Sequence, residues 1–544
     1  MQLGFVIDHS RCIGCHACTI ACKSENGVPV GDFRTWVKYT EVGTFPTVKR
    51  DFAVLRCNQC TDAPCVTICP VSALEKRPDG IVDIDPAQCI GCKGCMHGCP
   101  YDALYINDDT GTAEKCHFCA HRTEQGLAPA CAVVCPTEAI IPGDFHDPES
   151  RVSQMKEEFS LEARKTEAGT GPNVFYREVG EAGIDPSLTN LSEGFIWSQN
   201  PTGDRMDAQL FEAMERRAKA SMLAEAPSPQ ASPVSSEDAA LIAKVRKIEQ
   251  QARTVYDVPR DQLWGAKITG YLFAKSLAAG AFLAGWAGQV LMGRDESSML
   301  LFASIGLAFL LITGGLLVAD LKKPSRFWKI LVRPNWDSWL ARGTYLIVVY
   351  SGLLALWVAS ALFGWEPRWS PMVYHSLGWA TCVMAALTAC YTGWLFAQAK
   401  GRVLWMKRGY WAHLIVQAFV AGAAILLLLV GLFESTTGLT TPLGDVLFIS
   451  LIAHYIFLRA EGRMAPKGRE EEFSRVVRLI THGPFRARHL ISSILGVVAP
   501  VGMIAFSEAF DSSLVLPAAA ALALIGLWVE KDTFVRAGQA LPIS

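Results

Sequence analysis

Sixteen cysteines crowd into four groups within the first 135 residues: Cys12, Cys15, Cys18 and Cys22; Cys57, Cys60, Cys65 and Cys69; Cys89, Cys92, Cys95 and Cys99; Cys116, Cys119, Cys131 and Cys135. The third group reads CIGCKGCMHGCP (89–100). A segment that must gather four thiols four times over is organised by what those thiols hold, more than by an apolar core. The two remaining cysteines, Cys382 and Cys390, lie in an apolar stretch and read as small buried hydrophobes.

Disulfides are one use for so many thiols, but they belong mostly to short secreted chains. The opening MQLGFVIDHSRC has neither a basic nor an apolar leader segment ahead of the first thiol. Zinc is a second use, since paired CxxC units build Cys₄ sites. Spacing favours a third. C-x₂-C-x₂-C wraps one corner of an iron–sulfur cubane, and a fourth cysteine three residues on, before proline, ligates the other cluster of a pair. The groups at 12–22 and 89–99 have that spacing; the groups at 57–69 and 116–135 each stretch one gap. Pro70, Pro100 and Pro136 follow three of the four groups, and Lys23 stands in that place after Cys22. Four groups of four predict four 4Fe–4S clusters.

Residues 1–143 resemble the four-cluster ferredoxin-type subunits that accompany molybdopterin oxidoreductases such as dimethyl sulfoxide, polysulfide and tetrathionate reductases. The resemblance implies a cross-pairing of the groups. Cys12, Cys15 and Cys18 would join Cys135; Cys116, Cys119 and Cys131 would join Cys22; Cys57, Cys60 and Cys65 would join Cys99; Cys89, Cys92 and Cys95 would join Cys69. It also implies a wire without a catalytic centre of its own. No catalytic triad, Walker loop or dinucleotide fingerprint stands in residues 1–143 to contradict that.

Residues 144–260 read as a linker. APSPQASPVSS (226–236) is a flexible stretch, flanked by helical patterns at 207–225 and 237–253. From 261 the chain is strongly apolar. Segments at about 266–292, 298–319, 343–364, 371–397, 410–433, 443–460, 489–509 and 512–529 approach the roughly 20 residues that span a bilayer. The expected fold is thus an α+β ferredoxin-like multi-cluster domain followed by an all-α bundle of about eight transmembrane helices. Lys and Arg in the loops at 320–342, 398–410 and 459–489 and in the tail total twenty, against Arg294 and Arg368 on the opposite side. That asymmetry predicts both termini, and the clusters, on the cytoplasmic side of a prokaryotic inner membrane. A net charge of −2 gives no basic excess for nucleic acid.

The apolar half resembles the NrfD-like membrane subunits of polysulfide reductase and its relatives. The likeness rests on YLFAKSLAAG (271–280), ADLKKPSRFWKILVRPNWDSWL (319–340) and YTGWLFAQAKGR (391–402). It implies binding of quinone (ubiquinone or menaquinone) without haem. A quinone needs a hydrogen-bonding partner at each carbonyl and a proton route, and polar groups inside a membrane usually have a use. Lys275, Asp320, Tyr391 and His413 are the candidates, with Gln398 and Gln417 at similar depth. A plainer role for Lys275 is a structural pair with Asp320. His375, His413 and His454 raise haem, but no two share one helix at haem-like spacing, and none is expected.

Together these features predict a membrane-anchored electron-transfer subunit that does no chemistry on the primary substrate. Its clusters would connect a molybdopterin-type catalytic subunit, acting on sulfite, formate or a sulfur oxyanion, with membrane quinone. The alternative is a redox-driven proton- or ion-translocating module.

Overall fold

The computed structural model describes residues 1–43, 48–190, 252–258, 260, 262–292, 299–365, 369–430, 438–510 and 515–544. Both helical patterns of the linker, except residues 252 and 253, lie outside the described residues, as do the Pro/Ser stretch, Arg294 and Arg368.

The cysteine-rich half has little regular structure and much turn. A three-stranded sheet centres on Leu3–Asp8, flanked by Ile140–Asp144 antiparallel and Val174–Arg177 parallel. A second sheet pairs Thr35–Val42 with Lys49–Arg56 on one edge and Ala252–Tyr256 on the other. Two short hairpins, Leu74–Lys76 with Val82–Ile84 and Leu104–Asn107 with Thr112–Lys115, complete the α+β domain. Three pieces of the expected linker, Val174–Arg177, Thr189–Asn190 and Ala252–Tyr256, therefore serve as strands of this domain. Residues 252 and 253 lie on an inner strand of the second sheet, paired with Thr189 and Asn190 on its outer side, where the sequence pattern suggested helix. The pairing of Thr254 with Thr40 and of Tyr256 with Tyr39, β-branched and aromatic residues both, outweighs the weak amphipathic signal.

The apolar half is helical. Its long helices are α1 (Ala266–Met292), α2 (Met299–Asp320), α3 (Trp339–Leu362), α4 (Pro371–Gln398), α5 (Tyr410–Val430), α6 (Thr440–Ala460), α7 (Arg486–Ala509) and α8 (Leu516–Ala537). Among the described residues, seven are long and apolar enough to cross a membrane by length and composition. The eighth, α8, is 22 residues long but carries Glu530, Lys531 and Asp532. The sequence pattern closed this segment at 529, where the charges begin. The helix runs on because Glu530 and Lys531 turn into the bundle while Asp532 pairs with Arg536 (2.8 Å) and Arg488.

α1 is the central helix, almost wholly enclosed by its neighbours, whereas α2 and α3 leave most of their surface free to face lipid. Small residues let α1 sit there. A Cβ on Gly280 would lie 1.8 Å from the Ala418 carbonyl oxygen, and one on Gly422 would meet Gly280 just as closely. Close backbone approach of this kind is how membrane helices pack where the hydrophobic effect supplies no drive.

The two halves are joined by the loops that end α2 and α4. Asn335 donates to the carbonyls of Val66 (3.2 Å) and Cys69 (2.9 Å), and Ser338 donates to that of Ile68 (2.7 Å). The backbone N–H groups of Lys322, Lys323 and Gly401 reach the carbonyls of Gly91, Ile90 and His97. The 319–340 stretch thus clamps the turns around Cys69 and Cys89–Cys92. It also explains why α3 begins at Trp339, four residues before the apolar pattern does. Gln398 accepts from the Trp339 N–H (2.9 Å) and donates to the Asp337 carbonyl (2.7 Å), capping that start.

Candidate metal centres and an apolar cavity

The cysteine loops are shaped by residues that tolerate left-handed backbone. Gly91 (φ +68) lets the Cys89–Cys92 turn close, and a Cβ there would lie 2.6 Å from both the Gly111 oxygen and Lys322. Lys93 then takes φ 62 ahead of the short helix Gly94–Gly98, which presents Cys95 and delivers Cys99 at its end.

Folding gathers the thiols across groups. Cys12, Cys15, Cys18 and Cys135 line one small enclosed opening. Cys69, Cys89, Cys92 and Cys95 line another. Cys22 has Cys116, Cys119 and Cys131 as its electrostatic neighbours, and Cys65 has Cys57, Cys60 and Cys99. Among the described residues, no three His, Cys, Asp or Glu side chains converge tightly enough to hold one metal ion. Four thiols set apart around an opening suit a group of several metal atoms. Backbone N–H groups aim at the sulfurs: Ala73 at Cys69 (3.3 Å), Ala113 at Cys89 (3.4 Å) and Ala139 at Cys135 (3.2 Å). Such bonds stabilise thiolate charge.

Arg56 is wholly buried between two of these quartets, donating to the Cys131 sulfur at 3.2 Å. Burial works against its charge, but the thiolates of Cys131, Cys116 and Cys18 hold its pKa above the usual guanidinium range. Among the described residues its Nε and Nη2 find no partner, which leaves them free for the sulfur of a cluster. The donor set, the openings and this buried cation all fit 4Fe–4S clusters.

Beneath the Cys92 loop, where α1, α2, α3 and α4 end, lies an apolar cavity of about 200 Å³. Its lining includes Cys92, Trp264, Tyr271, Asp320, Tyr391 and Phe396. Asp320 does not pair with Lys275. It takes Lys93, both carboxylate oxygens standing 3.2 Å from Nζ, so the pair ties the Cys92–Cys95 loop to the end of α2. Lys275 is buried behind the cavity wall, donating to the Ala389 carbonyl (3.0 Å) and the Thr392 hydroxyl (2.5 Å). Its Nζ stands 4.6 Å from the centre of the Tyr391 ring, a cation–π contact. The Tyr391 and Tyr271 hydroxyls are 3.1 Å apart.

Two of the four candidates, Asp320 and Tyr391, thus line the cavity, and Lys275 touches it through Tyr391. His413 does not. Its Nε2 meets His454 Nδ1 at 2.9 Å, away from the cavity, among α5, α6 and α8. His375 lies at the other end of α4, against Trp286 and Tyr374. Tyr271 escaped sequence reasoning, although it opens the YLFAKSLAAG stretch one helical turn before Lys275. Lys93 escaped it too, and nothing local in the sequence marks its partner.

Comparison with known proteins agrees with this architecture. Residues 48–145 match the 4Fe-4S dicluster domain and residues 254–542 match the family "Polysulphide reductase, NrfD". The iron–sulfur half is similar to the B subunit of tetrathionate reductase from Salmonella typhimurium. The two are 42% identical over 202 residues, covering 36% of this chain and 80% of that protein. It is 38% identical to the arsenate respiratory reductase iron–sulfur subunit of a Shewanella species (32% of this chain, 96% of that one). It is 37% identical to the B subunit of polysulfide reductase from Wolinella succinogenes (34% and 98%). The chain belongs to the NrfD family of multi-pass membrane proteins, and carries on the same polypeptide a 4Fe–4S cluster-binding domain related to the iron–sulfur subunits of these reductases.

Proposed function

We propose that the chain passes electrons through four 4Fe–4S clusters between a molybdopterin-type catalytic subunit and quinone held in the apolar cavity. One observation carries this reading: Cys92, which this reading assigns to one cluster, lines the same cavity as Asp320, Tyr271 and Tyr391. The clusters supply one-electron steps. The ligand sets are the four cross-group quartets above, all sixteen cysteines being used. At the far end of the wire Cys15 is exposed, as are Ile13, Ile20 and Val133 on the segments around that quartet. Exposed apolar side chains beside a cluster suit a docked protein. The relatives are named as subunits of tetrathionate, arsenate and polysulfide reductases. A partner acting on sulfite, formate or a sulfur oxyanion fits that company.

In the cavity, the Tyr391 hydroxyl is placed to hydrogen-bond a quinone carbonyl, with Tyr271 beside it. Lys275, against the Tyr391 ring, places a second proton-carrying group beside it. Asp320, engaged with Lys93, keeps the cluster loop seated against the cavity roof. Apolar walls from Ile268, Leu317 and Leu395 exclude water from the ring. A chain whose clusters, once reduced with dithionite, are oxidised by added quinone supports this reading; clusters that stay reduced contradict it.

The cluster domain lies, in this reading, on the cytoplasmic side of the inner membrane. Of the twenty cations counted there, Lys322, Arg326, Lys329, Lys400 and Arg475 bind cluster-domain oxygens. Lys531 is buried in α8. The fourteen others still far outnumber the two opposite, and they carry the orientation signal. A reporter active only in the cytoplasm should work when fused after Ser544 and fail when inserted at residues 434–438. The reverse pattern would put the clusters outside.

A further inference from the structure

α5, α6 and α8 enclose a second set of ionisable side chains, none of which lines the cavity. Gln417 stands at its centre. The Gln417 Nε2 donates to Glu530 at 2.6 Å, and its Oε1 accepts from Lys531 at 2.5 Å, so one amide holds a carboxylate and an ammonium in fixed register. His454 Nε2 lies 4.0 Å from the same Glu530 oxygen, and its Nδ1 bonds His413. His413, Gln417, His454 and Lys531 are each at most 3% exposed, and Glu530 is 9% exposed. Among the described residues His413 Nδ1 finds no partner.

Burying such a set inside a membrane bundle is costly. Apolar residues of similar volume would usually serve stability as well or better, and ionisable groups at this depth usually mark a path for protons or ions. This set has an entrance. Lys407 and Glu461, paired at 2.7 Å in the cluster-side loops, sit next to Tyr410 and Phe534, with the Lys407 Nζ 4.7 Å from the Tyr410 ring. Tyr410 leads from that pair to the buried set, its ring centre 6.2 Å from that of His413. It also has an exit, because α8 packs on α1 through Leu527 and Leu277, each within about one helical turn of Lys531 and Lys275, and Lys275 lies against Tyr391. The other charged groups of α8, Asp532 and Arg536, are engaged with each other and with Arg488 and Thr269, and so stand apart from it.

We propose that this set conducts protons between the cluster-side surface and Tyr391, with Glu530 and the His413–His454 pair as the holding site. The proposal rests on the cavity being the quinone site. Reducing one quinone takes two electrons, which the clusters deliver singly, and two protons. Each O–H bond formed on the quinone breaks one in the relay that ends at Tyr391. The relay regains its proton through Lys275, Lys531 and Glu530 from water at Glu461, and quinol oxidation runs the same steps backwards. The bond between His413 Nε2 and His454 Nδ1 can carry its proton on either ring, so the pair can accept at one end and release at the other.

The test uses the full chain, reduced with dithionite and mixed with a short-chain ubiquinone analogue in H₂O and in D₂O. Glu530→Gln should slow cluster oxidation by roughly tenfold or more and raise the ratio of the rates in the two solvents, with the quinone affinity unchanged. A purely structural role would not move that ratio. If Glu530→Gln does not accumulate as folded protein, Glu461→Gln at the part-exposed entrance decides in the same way. A wild-type rate and solvent ratio in the folded variant overturns the proposal. If Tyr391→Phe slows oxidation in that same experiment, the cavity reading survives. If the unaltered chain is not oxidised by quinone at all, the cavity reading itself falls.

Discussion

Cys92→Ser is expected to remove one whole cluster and to stop electron passage to quinone. With all four clusters assembled, anaerobically purified chain should hold about sixteen iron atoms and as many acid-labile sulfides. The variant should hold about twelve of each. The loss reaches beyond one ligand, since Cys92, Cys89, Cys95 and Cys69 share one opening and the Cys92 loop forms the cavity roof. Without the cluster nearest the cavity, electrons face a gap that tunnelling crosses very slowly. Quinone-linked turnover should therefore fall to background while the three remaining clusters stay reducible by the partner. Cys382→Ser and Cys390→Ser, whose thiols lie in α4 within the bundle, should leave the iron count unchanged. An iron content near four in the unaltered chain would mean that most of the thiols do something else.

Tyr391→Phe should leave every cluster in place and still slow quinone turnover by roughly a hundredfold, the scale of a lost proton donor. The substitution removes only a hydroxyl that lies 3.1 Å from that of Tyr271. The ring that backs Lys275 is kept, so the packing around α1 should survive. His375→Phe, at the opposite end of α4, should have little effect. Steady-state quinone reduction, compared with the cluster absorbance of the same samples, separates the two outcomes. Normal turnover in Tyr391→Phe with loss in His375→Phe would place the quinone on the other side of the membrane.

The cysteines were legible because cluster ligation imposes a spacing that few other uses of thiols share. Their pairing across groups was legible only through resemblance, since spacing along the chain does not say which loops meet. The apolar segments were legible for the same reason that they span a bilayer, and the eighth was cut short for that reason too. Glu530 and Lys531 look like the end of a helix when judged by hydropathy, and only the placement of Gln417 on α5 shows why they can be buried. Asp320 was singled out as a polar group at the membrane boundary. Its partner, Lys93, is 227 residues away, and no local pattern connects them. The stretch at 319–340 was recognised by likeness, yet its work as the clamp on the cluster loops emerges from Asn335 and Ser338 reaching carbonyls at Val66, Ile68 and Cys69. Tertiary contact, not periodicity, fixes those residues.

The central claim is that electrons leave the clusters through quinone bound in the cavity under Cys92. Gly314 of α2 lines that cavity, and a Cβ there would meet nothing within 4 Å, so a large side chain can enter the space without disturbing the backbone. The decisive measurement is the rate at which quinone oxidises the dithionite-reduced clusters of the unaltered chain and of Gly314→Trp, with iron content checked in both. Rapid oxidation in the first, and a rate at least tenfold lower in the second with the iron content intact, is the predicted result. Equal rates in the two proteins would show that quinone meets the clusters somewhere else.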